Sequence, residues 1–436
     1  MVINAFPGYE FKEGKNIFRG DDLGKGGYVY AEPGVYGNVA LLDVASMHPH
    51  SVINLNAFGE YTQNFKDIVQ TRLCIKKKDY DAARHLFGGR LAPYLDNEET
   101  SAALSQALKI AINSVYGLTS ANFDNPFRDV RNKNNIVALR GALFMRTLQD
   151  EVKKRGFKVA HIKTDSIKIP DATPEIIEFC FDFAKKYGYE FEHEATYDRM
   201  CLVNDAVYIA KYASAETCEK LYGYVPGDNR KKGDKWTATG TQFQIPYVFK
   251  KLFSKEPIEF ADLCETKSVT SSLYLDMNEN MLMQDGDATL NDLEKQLSKA
   301  TKNGEPEEVL EELKERIATY HNYIFIGKVG NFCPIKPGCG GGLLCREKDG
   351  KYYSATGAKG YRWLESEMVD KLHKYDDIDE RHFIEMVDTA IETINKYGDF
   401  EWFVSDDPYI RPDYIPGEYG LYPFYEEDLP FTGPTD

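Results

Sequence analysis

The sequence predicts an α+β fold, on three observations. A buried strand, "VALLDVASM", runs into polar residues at its end. Residues 62–87 and 97–117 carry apolar side chains at helical spacing, with only a Gly-Gly and Pro93 break between them. Two β-like runs, "FKVAHI" and "SIKI", then flank a three-residue corner, Lys163-Thr164-Asp165, as a hairpin would.

The chain has 436 residues, which at about 150 per domain suggests two or three packed units. Apolar residues make up 42% and charged residues 28%, enough for a core. The formal net charge of −16 argues against binding nucleic acid through the overall field and leaves room only for a locally basic groove. The 29 Tyr and 25 Phe can build core or stack on bases. The start, "MVINAFPGYEFKEG", lacks a secretory pattern, and no apolar stretch reaches the roughly 18 residues of a membrane span, so no membrane partner is expected. Of eight scattered cysteines only Cys333, Cys339 and Cys345 cluster. Two readings stand: a zinc site, or a glycine-rich turn, "KPGCGGG", with incidental thiols. The compartment reads as reducing, hence cytoplasmic.

Residues 1–38, rich in Gly and Pro, read as a loop or linker feeding a strand. The 62–87 helix and a second helix, capped by Asn97 and ended by Gly117, would pair as an antiparallel hairpin. A third helix spans 135–155. After the 157–169 hairpin come a helix over 174–188 and a strand, "MCLVNDAVYIAKY". From about residue 214 a polar insertion and a charged helical pair broken at Asn303-Gly304 read as a solvated hairpin. The acidic, aromatic tail from Asp399 reads as an extended arm.

Certain side chains carry chemistry. Asp43 ends an apolar strand and precedes a compact turn, "ASMHPHS", whose successive N–H groups can cradle an anion. A plain strand-to-turn Asp is the alternative reading. Lys109, Asn113 and Tyr116 lie at i, i+4 and i+7, one stripe of cation, amide and ring, while Ile110, Ala111 and Ile112 face elsewhere. The stripe is either an exposed face or a nucleotide-reading one. Arg72 and Lys76 present two cations on one face of the preceding helix. At the hairpin tip, Asp165 is either a turn former or the second acid of a metal pair.

Together these residues resemble those of family B DNA polymerases. "DVASMHPHS" resembles the first palm motif, D-x-x-S-L-Y-P-S; "KIAINSVYG" matches the fingers motif K-x-x-x-N-S-x-Y-G at every fixed position; "HIKTDS" resembles Y-G-D-T-D-S. Arg72 and Lys76 match the R-x-x-x-K pair of the partner helix. The resemblance covers roughly residues 20–215. It implies a right-hand polymerase fold: a palm with an antiparallel sheet, helical-hairpin fingers and a mixed, mostly helical thumb. The parts would be a linker (1–38), palm (39–60), fingers (61–118), palm (119–213), and thumb with C-terminal extension (214–436). It implies a DNA-templated DNA polymerase acting in replication, adding dNTPs to a primer on template DNA.

The resemblance also implies roles. Asp43, Asp165 and the Val44 carbonyl would hold two Mg2+ ions, with Mn2+ as an alternative. The amides of Ser46, Met47 and His48 would receive phosphate oxygens; Arg72, Lys76 and Lys109 would grip the phosphates; Lys109 would protonate the leaving pyrophosphate. Asn113 and Tyr116 would line the base-pair pocket. Lys163, Thr164, Tyr208 and Lys211 would face DNA, as would Arg128 and Arg131 in the basic stretch "FRDVRNKNNIVALRGALFMR". Further on, "SATGAKGYRW" would be a phosphate-contacting loop.

Three departures stand out. His48 occupies the place of a Tyr that excludes ribose, Lys163 the place of the first Asp of D-T-D, and Asp205 and Ala206 the places of two primer-gripping lysines. Lys163 should turn aside from the metal pair, towards a DNA phosphate or a nearby acid. Only 42 residues precede Asp43, so the expected 3′–5′ exonuclease domain would sit on a separate subunit, in a split enzyme of bacteriophage type acting in the host cytoplasm. A catalytically silent polymerase-like DNA-binding subunit, and a primase or RNA polymerase on the same palm, are the alternatives.

Overall fold

The structure, a computed structural model, describes residues 5–119, 121, 123–125, 135–230, 235–277, 290–320 and 323–407. The chain divides into two units, Met1–Gly240 with Ile394–Asp436, and Thr241–Thr393.

The first residues form more than a loop. Strands β1 (Tyr9–Lys12), β2 (Lys15–Phe18) and β3 (Asp21–Asp22) pair antiparallel as a small sheet. Phe6 and Phe18 are fully buried there, and Phe6 stacks on Tyr187 at 5.2 Å. These two rings supply the apolar burial that a Gly/Pro count overlooks.

The centre of the first unit is a seven-stranded sheet of β4 (Val29–Ala31), β5 (Gly34–Val44), β6 (His161–Lys163), β7 (Ser166–Ile169), β8 (Phe191–Leu202), β9 (Tyr208–Tyr212) and β10 (Trp236–Thr239). Its order is β10-β9-β8-β5-β7-β6-β4, with every neighbour antiparallel. Side chains alternate between faces along β5. Ala40, Leu42 and Val44 join the core that includes the Ile136–Lys154 and Pro174–Lys186 helices; Val39 and Leu41 join Ala195, Tyr197 and Tyr208 on the opposite face. Phe144 is the hub of the first core, with the rings of Tyr189, Tyr187, Phe191 and Phe183 at 4.8, 5.6, 6.0 and 6.1 Å.

Two expected elements are each divided. The 62–87 helix is two helices, Thr62–Lys76 and Tyr80–His85, because Lys78 takes φ 60° and Asp79 caps a new start by accepting from the Ala82 amide at 3.1 Å. The strand expected over 200–212 is the hairpin of β8 and β9. Its corner closes through Val203 N–H to the Val207 carbonyl (2.9 Å) and Ala206 N–H to the Asn204 side chain (2.8 Å). The second helix of the expected hairpin runs Glu98–Thr119, through Gly117, with Asn97 accepting from the Thr100 amide at 2.9 Å.

The second unit mixes helices with strands, and more of its described residues lie in helices than in strands. It is built on a five-stranded antiparallel sheet of β11 (Glu265–Asp276), β12 (Tyr323–Ile335), β13 (Leu343–Lys348), β14 (Lys351–Ser354) and β15 (Arg362–Glu365), in the order β14-β13-β11-β12-β15. Runs such as "YIFIGKVGNF" are β-branched and aromatic, which suits a pleated surface rather than a helix. The glycine-rich turn packs so tightly that a Cβ on Gly341 would lie 2.8 Å from the Trp363 carbonyl oxygen. Arg362 turns inward, donating to the carbonyls of Gly340 (3.1 Å) and Gly341 (2.6 Å). The charged pair is a helical hairpin, Leu290–Asn303 and Glu307–Tyr320, reversing at Gly304 with φ 67°. Among the described residues no helix is long and apolar enough to cross a membrane.

Replacing Phe144 by Ala is expected to cost about 3–5 kcal/mol of stability, read as a lower urea midpoint, because four aromatic neighbours lose their shared partner.

Candidate functional site

The site is built by one backbone hydrogen bond at the end of β5. The Val44 N–H donates to the Asp165 carbonyl at 2.8 Å, and Asp43 sits directly across from Ser166. The end of the central strand thus meets the corner of the β6–β7 hairpin. Two acids 122 positions apart come together there. In a strand the N–H and C=O of one residue point the same way, so the Val44 carbonyl leaves on the Asp165 side.

The hairpin corner is constrained. Thr164 takes φ 56°, its amide donates to the Tyr28 carbonyl at 2.9 Å, and the Asp165 amide donates to the Lys163 carbonyl at 2.7 Å. A Cβ on Gly27 would lie 2.6–2.8 Å from three Thr164 side-chain atoms. Gly27, in "GKGGYVY", is therefore the floor on which the corner rests. Lys163, exposed on the rim, stands opposite Val29 on β4.

Both acids titrate high. Burial, then the charges of Asp165, Glu194 and Glu192, push Asp43 up to about 8, against the pull of Lys76. Burial raises Asp165 too, opposed by its own backbone N–H, His48 and Lys168. Burial is thus the first cause for each acid, and neighbouring like charges add to it at Asp43.

After Ala45, whose amide donates to the Glu190 carbonyl at 2.9 Å, Ser46 takes φ 55° and starts the Met47–Asn54 helix without any side-chain cap. Uncapped first-turn N–H groups carry the positive end of the helix dipole. Ser51 bonded to Tyr189 at 2.6 Å and Met47 packed against Gly141 fix that helix in place.

One cavity of about 140 Å3 joins these parts. Ser46, Met47 and His48 line it from the helix start, Arg72 from the Thr62–Lys76 helix, Lys109, Ile112, Asn113 and Tyr116 from the Glu98–Thr119 helix, and Asp165 from the corner. The sequence stripe of Lys109, Asn113 and Tyr116 thus faces a single space. Ile112, expected to face elsewhere, lines it too and is 4% exposed, because a one-sided apolar contact completes the wall. His48 and Tyr116 stack with centroids 4.5 Å apart and planes 9° from parallel. Burial holds the His48 imidazole below its ordinary pKa, opposed by Asp165. His48 Nδ1 and Arg72 Nε are buried without a hydrogen-bond partner. Both belong to residues that line the cavity, and unsatisfied buried polar groups of this kind are what a polar ligand could satisfy.

The remaining expected residues that the structure describes are not among the residues lining the cavity. The Lys76 ammonium is bonded to Glu192 at 2.7 Å. Lys211 is paired with Asp406 and lies over the Trp236 ring at 5.8 Å. Tyr208 stands on the same sheet face as Val39 and Leu41, with the Lys168 ammonium 4.8 Å from its ring centre. Arg128 and Arg131 lie outside the described residues.

Sequence reading missed two groups. Lys168, 3% exposed, reaches His161 Nδ1 at 3.1 Å, and His161 Nε2 lies 3.1 Å from the Asp205 carbonyl. A carbonyl only accepts, so Nε2 carries the proton and Nδ1 accepts from the ammonium. Burial, opposed by Glu194, Asp43 and Asp165, brings Lys168 down to about 8. The signal was the alternation of polar 161, 163, 166 and 168 with Ile162, Ile167 and Ile169. The second group is Glu192 and Glu194, beside Asp43; its signal was the alternating acids of "YEFEHEATY".

Among the described residues no three His, Cys, Asp or Glu side chains converge as a metal site. Two carboxylates and a backbone carbonyl nonetheless suit a hard divalent cation that takes its other ligands from water and phosphate. The raised acid pair is the uncompensated charge such an ion would relieve.

Gly27→Ala is expected to cost about 1–3 kcal/mol of stability, read as a lower urea midpoint with an unchanged circular dichroism spectrum, because the added methyl displaces the corner that carries Asp165. The metal-free protein should lose stability as pH rises from about 4 through 8. Native Asp43 keeps a proton across that window that the unfolded chain releases. Urea unfolding at pH 6 and pH 9 should show the wild type losing about 1–3 kcal/mol more than Asp43→Asn over this interval, a figure discounted for solvent screening.

No protein-family model matches this sequence, and no curated protein matches it. Among solved structures, the family B DNA polymerase from the hyperthermophilic archaeon Pyrobaculum calidifontis is similar at a TM-score of 0.42 and 13% identity, over 84% of this chain. The chain spans 46% of that polymerase's length.

Proposed function

We propose that the chain is a DNA-templated DNA polymerase of the right-hand type, adding dNTPs to a primer 3′-hydroxyl on template DNA. One observation carries this reading. A single cavity gathers an uncapped helix start, two cations, a stacked His48–Tyr116 pair and Asp165, at the point where Asp43 also arrives.

The parts then divide the work. Asp43, Asp165 and the Val44 carbonyl would hold divalent cations, which when bound would supply activation of the primer hydroxyl and charge neutralisation on the leaving pyrophosphate. The amides at Ser46, Met47 and His48, with Arg72 and Lys109, take the phosphate oxygens through charge-assisted bonds. Lys109, exposed at the cavity mouth, delivers a proton to the departing pyrophosphate. The His48–Tyr116 stack forms an aromatic floor for the sugar, and Asn113 the adjoining wall.

Primer extension with Mg2+ and dNTPs tests the reading. The wild type should extend a primed template, and Asp165→Asn should lower the rate on the order of 10³-fold. Retained DNA binding without any extension would instead indicate a silent DNA-binding subunit. NTPs run side by side read the His48 position: equal use of the two sugars, or synthesis without primer, would sink the DNA polymerase assignment.

A further inference from the structure

Of the three cations that the sequence aligns on the fingers helices, Arg72 and Lys109 line the cavity and Lys76 does not. Lys76 lies one turn beyond Arg72 on the Thr62–Lys76 helix, within reach of the same space. Its ammonium is instead held by Glu192 at 2.7 Å. Glu192 is the residue directly across from Asp43 in the β5–β8 pairing. The Lys76 charge is felt by both Asp43 and Glu194, so this lysine hangs over the acidic rim of the site. A second pair, Lys77 to Glu190 at 3.7 Å, lies beside the first and joins the same helix end to the residue preceding β8.

The Lys76–Glu192 pair is exchangeable. The two side chains are 54% and 34% exposed, and a solvated pair of this kind is weak. A phosphate offers Lys76 more charge and more acceptor oxygens than one carboxylate does. Glu192, across from Asp43, also belongs to neither hydrophobic cluster of this sheet.

We propose that Glu192 is a latch: it holds Lys76 off the cavity in the nucleotide-free protein, and the triphosphate group of an incoming nucleotide takes Lys76 from it. Glu192 is then a positioning residue that sets nucleotide affinity by competing with phosphate for one ammonium. This rests on the nucleotide-binding reading of the cavity given above.

The test is steady-state primer extension on a primed template with dATP as the varied nucleotide. Glu192→Gln should lower KM for dATP about two- to fivefold, the span an exposed ion pair allows. Lys76→Met should raise KM, and adding Glu192→Gln to Lys76→Met should leave that raised KM unmoved. Glu190→Gln, which breaks only the neighbouring Lys77 pair, should leave KM at the wild-type value. A merely structural role for Glu192 would shift thermal stability and would not make its effect on KM depend on Lys76. An unmoved or raised KM in Glu192→Gln overturns the latch, as does an equal fall in the Lys76→Met background or in Glu190→Gln. Wild-type protein that extends primers while the variants behave so overturns the latch alone. Wild-type protein that neither extends primers nor binds dATP overturns the functional reading and the latch together.

Discussion

Everything at the candidate site depends on bringing two like charges together in a partly buried space. The contact is made by backbone, not by side chains: the Val44 amide holds the Asp165 carbonyl, and the side chains of Asp43 and Asp165 follow. Backbone bonding in a central strand is the cheapest way to enforce such proximity, because the ladder must be satisfied whatever the side chains prefer. Burial raises the pKa of both acids, and the charges of Asp165, Glu194 and Glu192 raise Asp43 further. A fold that keeps this strain in place has stored a demand for positive charge at one point on its surface.

The surroundings meet that demand in graded ways. Lys168 is a fixed, buried cation beneath the site, oriented by His161 and, through it, by the Asp205 carbonyl in the β8–β9 corner. Lys76 is a half-exposed cation at the rim, paired with Glu192. Arg72 and Lys109 face the cavity, the first with an unpaired Nε. Charge is therefore layered from core to mouth. That layering suits a ligand carrying several negative charges, and it does so within a chain whose net charge is −16.

Local patterns were readable where chemistry and periodicity coincide. The Lys109, Asn113 and Tyr116 stripe needed only helical geometry, and the hairpin carrying Asp165 needed only alternation and a turn corner. The reading failed where a single backbone torsion or one buried ring decided the outcome. Lys78 broke a helix by taking a positive φ, and Asn204 folded one expected strand into two. Phe6 and Phe18 turned an expected linker into part of the core. In the second unit, β-branched and aromatic runs form a five-stranded sheet beside the helices, which the sequence reading had not placed strand by strand.

By itself the sequence determined which residue types could do phosphate and metal chemistry and which helix or strand each would ride on, because those depend on spacing along a few turns. Tertiary structure alone decided that Asp43 and Asp165 meet, that Lys76 answers to Glu192 rather than to the cavity, and that Lys168 lies buried under the acids. Those outcomes hinge on strand order and register across more than a hundred residues. Spacing along the chain carries no record of which strands will pair.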